Sequence, residues 1–162
     1  MPVSDIRIDA RLWEAASELR RDDWRTSIID LLDDAKLGND ETHVLHLSVD
    51  SEGLALVTFD ENGGPVATHL LLPAHLAPHT KEYLAIIGRM HEGDASESSS
   101  RMQALDMAKK VVHDHGARTL AAQLPGFAPD HETYRRLFTL LLSVVVDVTK
   151  LHGVNAHRRH LG

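Results

Sequence analysis

The chain has 162 residues, with no cysteine, 12 histidines and a formal net charge of −7 at pH 7. This length suits one domain. The absence of cysteine excludes a disulfide framework, a cysteine-bound zinc site, an iron–sulfur cluster and a thiol nucleophile. The acidic balance is a poor match for a general nucleic-acid binder, so we expect no nucleic-acid partner.

No stretch of the sequence looks like a targeting signal or a membrane span. Residues 1–9 lack the basic start and apolar block of a signal peptide. Residues 137–148 form the longest apolar stretch, and they contain Thr139, Ser143 and Asp147, whereas a spanning helix needs about 20 predominantly apolar residues. We therefore expect a soluble, cytoplasmic protein that does not contact membranes.

The N-terminal third predicts one strand and two helices. Residues 3–9 alternate apolar and polar side chains, as a short strand does. Asp9 can cap a first helix, and Asp22 with Asp23 marks the start of a second helix, which Gly38-Asn39 ends.

Three strands follow, at about residues 43–50, 53–59 and 65–72. Their links are Ser51-Glu52 and Asn62-Gly63, and Asn-Gly is the strongest short hairpin signal. The pattern therefore predicts an antiparallel meander. If both turns contain two residues, one row across the sheet consists of Leu47, Leu56 and His69, and the opposite face carries the row His46, Val57 and Thr68.

The C-terminal half reads as helices. One is predicted over residues 80–91, and the next runs from a capping box at Ser100 to about His115, with Gly116 as its C-cap. A short helix to Leu124 and a long apolar helix beginning at Asp130 complete the pattern.

The fold class that these elements predict is α+β, a three- to four-stranded antiparallel meander sheet covered by helices. Residues 1–153 would form a single domain and residues 154–162 a flexible tail. The middle strand has apolar residues on both faces, so its second face needs a cover. Either a helix or another subunit could supply it, and on that ground we expect a homodimer or another protein partner.

Four segments carry a family resemblance. They are Gly64-Pro65-Val66-Ala67-Thr68-His69, Lys81-Glu82-Tyr83, the run from Ala104-Leu105-Asp106-Met107 to His113-Asp114-x-Gly116, and Arg135-Arg136-Leu137-Phe138-Thr139-Leu140. In order and spacing, over roughly residues 4–145, they resemble a small bacterial family of unknown function, the uncharacterised protein family UPF0262. This chain departs from the family by continuing well beyond the last segment. The resemblance implies a shared architecture and supplies no activity.

The best candidate for chemistry is a cluster drawn from these segments. Asp106, either Lys109 or Lys110, and His113 fall on one face of their helix. His69 lies on the leucine-rich face of the sheet, which helices must cover, so packing could bring His69 to Asp106 and His113. A His–Asp pair suits acid–base catalysis because the carboxylate orients the imidazole and stabilises its charged form.

The same residues also have a structural interpretation. Asp106 can form an interhelical ion pair with Arg135 or Arg136. His113, in the last turn of its predicted helix, suits the negative end of the helix dipole, and His69 can be a core histidine bonded to backbone. Perturbed or clustered titratable groups indicate function only probabilistically, so both interpretations stay open.

Two functions therefore remain. The first is a non-enzymatic binding or regulatory module that acts through protein–protein or small-ligand contact. The second is a small enzyme with His69, Asp106 and His113 as catalytic residues. Its anionic substrate would be bound by Thr68, Lys110, Arg135 and Arg136.

Neither a metal nor a cofactor is expected. His75 and His79 have a spacing that suits ligation on a helix, but no recognised zinc-site pattern is present. P-loop, dinucleotide-binding and serine-nucleophile motifs are also missing from the sequence.

Overall fold

The computed structural model describes residues 4–34, 44–49, 53–60, 62–92, 99–125, 127 and 130–146. These residues form an α+β fold, as the sequence predicts. Its elements, in chain order, are β1 (Asp5–Ile8), α1 (Ala10–Ala15), α2 (Glu18–Asp34), β2 (Val44–Val49), β3 (Leu54–Phe59), β4 (Pro65–Leu71), α3 (Pro73–Glu92), α4 (Ser99–Gln123) and α5 (His131–Val145).

The four strands form one sheet in the order β1-β2-β3-β4. β2, β3 and β4 are antiparallel, but β1 is parallel to β2, so the sheet is mixed rather than wholly antiparallel. The physical reason is the connection between β1 and β2, which carries α1 and α2. A crossover of that length allows parallel pairing, whereas a tight turn does not.

The predicted register of the meander is confirmed. Leu47 pairs with Leu56 and Leu56 with His69, while His46, Val57 and Thr68 form the row on the other face. The hairpin after β3 reaches this register indirectly. The Asp60 N–H donates to Gly64 O at 2.9 Å, so the loop between these two residues has three residues rather than the expected two. A register shift at Thr58/Phe59 offsets the extra residue, and the rest of the strand pairing is as predicted.

The core lies between one face of the sheet and the helices. Leu45, Leu47, Leu54, Leu56 and Leu71 are buried on that face. α5 contributes nine buried residues, more than half of its length, which agrees with the prediction of a mostly buried C-terminal helix. Burying a leucine contributes about 1.5–3 kcal/mol, so this shared face dominates the stability of the fold.

The prediction of two helices on either side of Gly116 was wrong. α4 continues through Gly116 to Gln123. This glycine permits a close approach of α5, because a Cβ at this position would overlap the ring of Phe138. His113 therefore lies within a helix rather than in its last turn.

Two other helix starts differ from the prediction. α2 begins at Glu18, not at Asp22, and Ser17 Oγ accepts from the Arg20 N–H at 3.2 Å as its cap. α3 begins at Pro73 rather than near residue 80. Proline is favoured at the first helical position, whereas Pro78 lies inside the helix and lacks the N–H that would bond to the carbonyl four residues earlier.

α5 begins as predicted. The Asp130 carboxylate accepts from the Thr133 N–H at 2.8 Å, so Asp130 is the N-cap. α5 ends at Val145. The predicted tail at residues 154–162 lies outside the described residues, as do the turns at Ser51-Glu52 and Gly38-Asn39. None of the described helices is long and apolar enough to cross a membrane.

Candidate functional site

His69 lies on the core face of β4, opposite Leu56. Its Nε2 is buried and has no hydrogen-bond partner among the described residues, and its ring meets Phe127 edge-on at 6.1 Å between centroids. Thr68 is exposed on the other face, because adjacent strand residues point to opposite sides. The structure thus separates Thr68 from His69.

His113 is packed between α3, α4 and α5. Its ring lies edge-on to Tyr83 and to Phe138, at 5.5 Å from each centroid, and its Nδ1 donates to the Lys109 carbonyl at 2.9 Å. Burial lowers the pKa of His113. A neutral imidazole that donates its Nδ1–H to the backbone suits this apolar position. Packing alone therefore explains why His113 lies here.

Asp106 and Lys110 are exposed on α4. Asp106 precedes His113 by two helical turns, which is about 10 Å along the axis. No hydrogen bond or ion pair within the described part of the chain joins His69, Asp106 and His113. Their catalytic role therefore remains a prediction.

The interhelical ion pair forms at a different aspartate. Arg135 Nε lies 3.0 Å from Asp114 Oδ1, and Arg135 Nη1 lies 3.3 Å from Glu132. Because α4 and α5 meet at Gly116 and Phe138, Asp114 rather than Asp106 comes opposite Arg135. If α4 had been predicted as one helix through Gly116, Asp114 would have been a candidate partner for Arg135.

A His–Asp pair exists, with members that the sequence analysis did not select. His131 Nε2 lies 3.1 Å from Asp114 Oδ1. The hydrogen bond from His131, with the nearby charge of Arg135, lowers the pKa of Asp114. Both side chains are well exposed, so solvent screens this pair.

His79 and His115 form a second histidine pair, across α3 and α4. Their ring centroids are 6.5 Å apart, and His79 Nε2 is hydrogen-bonded to Thr119 Oγ1 at 2.7 Å. Burial, and then the charge of His115, lower the pKa of His79. Within the described ranges, no group of three or more histidine and carboxylate side chains is placed to hold a metal ion.

Arg136 lines a polar pocket between α2 and α5, with a volume of about 270 Å³. The other lining residues are Ser27, Asp30 and Thr139. Arg136 Nη1 donates to the Asp30 backbone carbonyl at 3.2 Å, and Arg136 Nε lies 3.5 Å from Glu132. The Asp30 carboxylate has no ion pair with any residue that the structure describes. Of the two predicted arginines, only Arg136 reaches this pocket.

A second concavity, of about 500 Å³, lies beside β1. We call it the β1 groove. Its lining is mainly apolar, with charged groups of both signs, and consists of Ile6, Arg7, Ile8, Ala10, Trp13, Glu14, Arg25, Ile28 and Ile29. Ile29 is 56 % exposed, which is unusual for an isoleucine and marks this groove as an open apolar surface.

Comparison with known proteins places the chain among uncharacterised relatives. Residues 2–147 match the sequence model of the uncharacterised protein family UPF0262. A UPF0262 protein of Bradyrhizobium sp. (strain ORS 278) is 36 % identical over 98 residues, which are 60 % of this chain and 58 % of that protein. One from Rhodopseudomonas palustris (strain BisB18) is 32 % identical over 105 residues, 64 % of each chain. The match thus spans about three fifths of the relatives' length. No solved structure matches the chain.

Proposed function

The chain belongs to the uncharacterised protein family UPF0262, and we propose that it is a non-enzymatic binding module for a small zwitterionic ligand. The observation that carries this proposal is the polar pocket between α2 and α5, which is lined by one basic, one acidic and two hydroxyl-bearing residues. We place the module in the cytoplasm, and cell fractionation tests that location.

The chemistry of the pocket selects the class of ligand. The Arg136 guanidinium suits a carboxylate, because its fork of N–H donors matches carboxylate geometry. The Asp30 carboxylate suits an ammonium group. Arg136 also lies 3.5 Å from Glu132, so the pocket has no surplus of positive charge, and a ligand that carries both groups fits better than a simple anion. A volume of about 270 Å³ limits the ligand to the size of an amino acid or a short derivative.

The positions of the predicted catalytic residues also favour binding over catalysis. Asp106 is exposed on α4, and His113 is packed between aromatic rings with Nδ1 committed to a backbone carbonyl. General acid–base catalysis needs its groups within hydrogen-bond reach of each other or of one substrate.

A small acid–base enzyme is the second candidate, and the His131–Asp114 pair favours it. In that case His131 would act as the base and Asp114 would orient its ring. A pH profile of any activity found for the protein would then shift or vanish in His131→Gln.

The binding proposal is tested by calorimetric titration of the full chain with probes that differ in one group. Glycine, alanine and glutamate carry both charges, acetate carries only the carboxylate, and ethylamine carries only the ammonium. We expect binding of at least one amino acid, and weaker or no binding of the two single-charge probes.

Two variants identify the pocket. A hydrogen bond to a charged group contributes about 1.5–3 kcal/mol, so Arg136→Gln should weaken amino-acid binding about ten- to a hundred-fold. Asp30→Asn should weaken amino acids and leave acetate unchanged. Arg89→Gln, on the exposed surface of α3, is the matched control. Equal binding by the wild type and by Arg136→Gln, or no binding of any probe, would refute the proposal.

A further inference from the structure

β1 is an edge strand, since within the described residues it pairs only with β2. The Asp9 N–H donates to Leu47 O at 2.8 Å. Backbone groups alternate between the two sides of a strand, so those of Arg7 face β2 and those of Ile6 and Ile8 face the free edge. At that edge the Ile6 N–H donates to Asp5 Oδ1 of its own chain at 2.9 Å. The β1 groove lies along the edge, which therefore combines outward-facing backbone groups with an apolar wall.

The charges on β1 are self-complementary. Asp5 and Arg7 lie two residues apart, hence on the same face of the sheet, and their side chains are 3.1 Å apart and largely exposed. Ile6 is the residue between Asp5 and Arg7 in the sequence, and its side chain points to the opposite face of the sheet. An antiparallel copy of β1 centred on Ile6 would place Asp5 opposite the partner subunit's Arg7, and Arg7 opposite the partner subunit's Asp5.

We propose that the protein forms a homodimer through antiparallel pairing of β1 with β1 of a second copy, about a two-fold axis at Ile6. The two four-stranded sheets then join into one. Ile6 and the partner subunit's Ile6 form a hydrogen-bonded pair, for which each Ile6 N–H exchanges Asp5 Oδ1 for a backbone carbonyl of the other copy. Asp5 and the partner subunit's Arg7 occupy the adjacent non-hydrogen-bonded position, where opposing side chains approach most closely.

Burial of apolar surface supports the same geometry. Ile6 and Ile8 point to the side of the sheet that carries the β1 groove, so the grooves of the two copies lie next to each other across the axis. Exposed Ile29 would then gain apolar neighbours. The groove carries Glu14 with Arg7 and Arg25, and Arg7 is paired with Asp5 at its rim, so acidic and basic groups are matched in number where the two copies meet.

This interface differs from the one that the sequence suggested, which was the second face of β3. On that outer face, Phe59 already packs edge-on against His46 at 4.7 Å. Charge complementarity is the feature that favours β1, and a dimer through the outer sheet face is an outcome that the test distinguishes. The proposal is independent of the ligand pocket.

The experiment uses size-exclusion chromatography with light scattering on the full chain. We expect twice the chain mass of 17.9 kDa for the wild type at micromolar concentration. Asp5→Arg and Arg7→Asp each place like charges opposite each other, and each should raise the dimer dissociation constant at least ten-fold. Arg89→Asp, an exposed charge reversal on α3, should leave the dimer intact.

Mixing the two single variants gives the decisive measurement. One copy then has two arginines and the other has two aspartates, so native mass spectrometry should show a heterodimer that neither variant forms alone. The double variant Asp5→Arg/Arg7→Asp should also recover the homodimer, although it lacks the Asp5 side chain that accepts from the Ile6 N–H. A monomeric wild type, single variants that stay dimeric, or a mixture without heterodimer would each overturn the proposal.

Discussion

Replacing Gly116 with alanine should destabilise the protein, although alanine is the better helix former. In an exposed helix, Gly→Ala gains about 1 kcal/mol of helix propensity. At Gly116 the added Cβ would overlap three atoms of the Phe138 ring, and that ring is 1 % exposed and cannot swing into solvent. Overpacking of this kind costs about 1–3 kcal/mol, and the buried ring places the cost at the upper end. We therefore expect a net loss of about 2 kcal/mol in the free energy of unfolding.

Gly88 provides the matched control for this substitution. It also lies within a helix, but a Cβ there would meet nothing within 4 Å. Gly88→Ala should therefore gain about 1 kcal/mol, which is the opposite sign. Urea unfolding followed by circular dichroism measures the free energy of unfolding of both variants. In thermal unfolding, a change of about 1 kcal/mol in a chain of this length corresponds to a shift of about 2–4 °C in Tm. If Gly116→Ala stabilised the protein as Gly88→Ala does, the close approach of α4 and α5 would be refuted.

Two further predictions concern buried polar groups. Trp24→Phe removes the indole N–H that donates to the buried Ser143 carbonyl at 3.0 Å, and should cost about 1–3 kcal/mol in urea unfolding, whereas an unchanged stability would exclude this bond. Because burial lowers the pKa of His79 and His113 in the folded chain, the unfolded chain binds more protons in mildly acid solution. The contribution of these two histidines to the free energy of unfolding should therefore be fully present above the ordinary histidine pKa near 6.5, and it should be lost as the pH drops through their folded pKa values. Urea unfolding at several pH values measures this dependence. His113→Gln should reduce the slope of unfolding free energy against pH.

The sheet could be predicted because its signals are local. The Asn62-Gly63 turn and the alternation of apolar residues fix which residues share a face, so the row Leu47, Leu56 and His69 follows from the sequence. β1 is different, because nothing within a strand of four residues states whether its neighbour runs parallel to it. That answer depends on the length of the crossover through α1 and α2.

The candidate sites were harder to predict because they depend on how helices cross. Gly116 looks like a helix end in the sequence, yet it serves a close approach to Phe138. The ion pair that the sequence suggested for Asp106 forms at Asp114 instead, because the crossing of α4 and α5 decides which aspartate meets Arg135. Only part of the polar pocket was accessible to sequence reasoning. Arg136 was selected as a candidate for binding, but Asp30 lies on a helix distant in the chain, and no spacing rule connects the two.

The contact between Trp24 and α5 has a consequence for the order in which the protein folds during synthesis. Trp24 Nε1 donates to Ser143 O, and Arg20 Nη2 donates to Val144 O at 2.8 Å. Two side chains of the N-terminal third therefore bond to carbonyls of residues that are synthesised more than a hundred residues later. At about 5–20 residues per second, a ribosome needs roughly 6–24 s to add the intervening 119 residues. Throughout that interval α2 lacks the helix that buries its tryptophan, so the nascent chain exposes an apolar surface until α5 emerges.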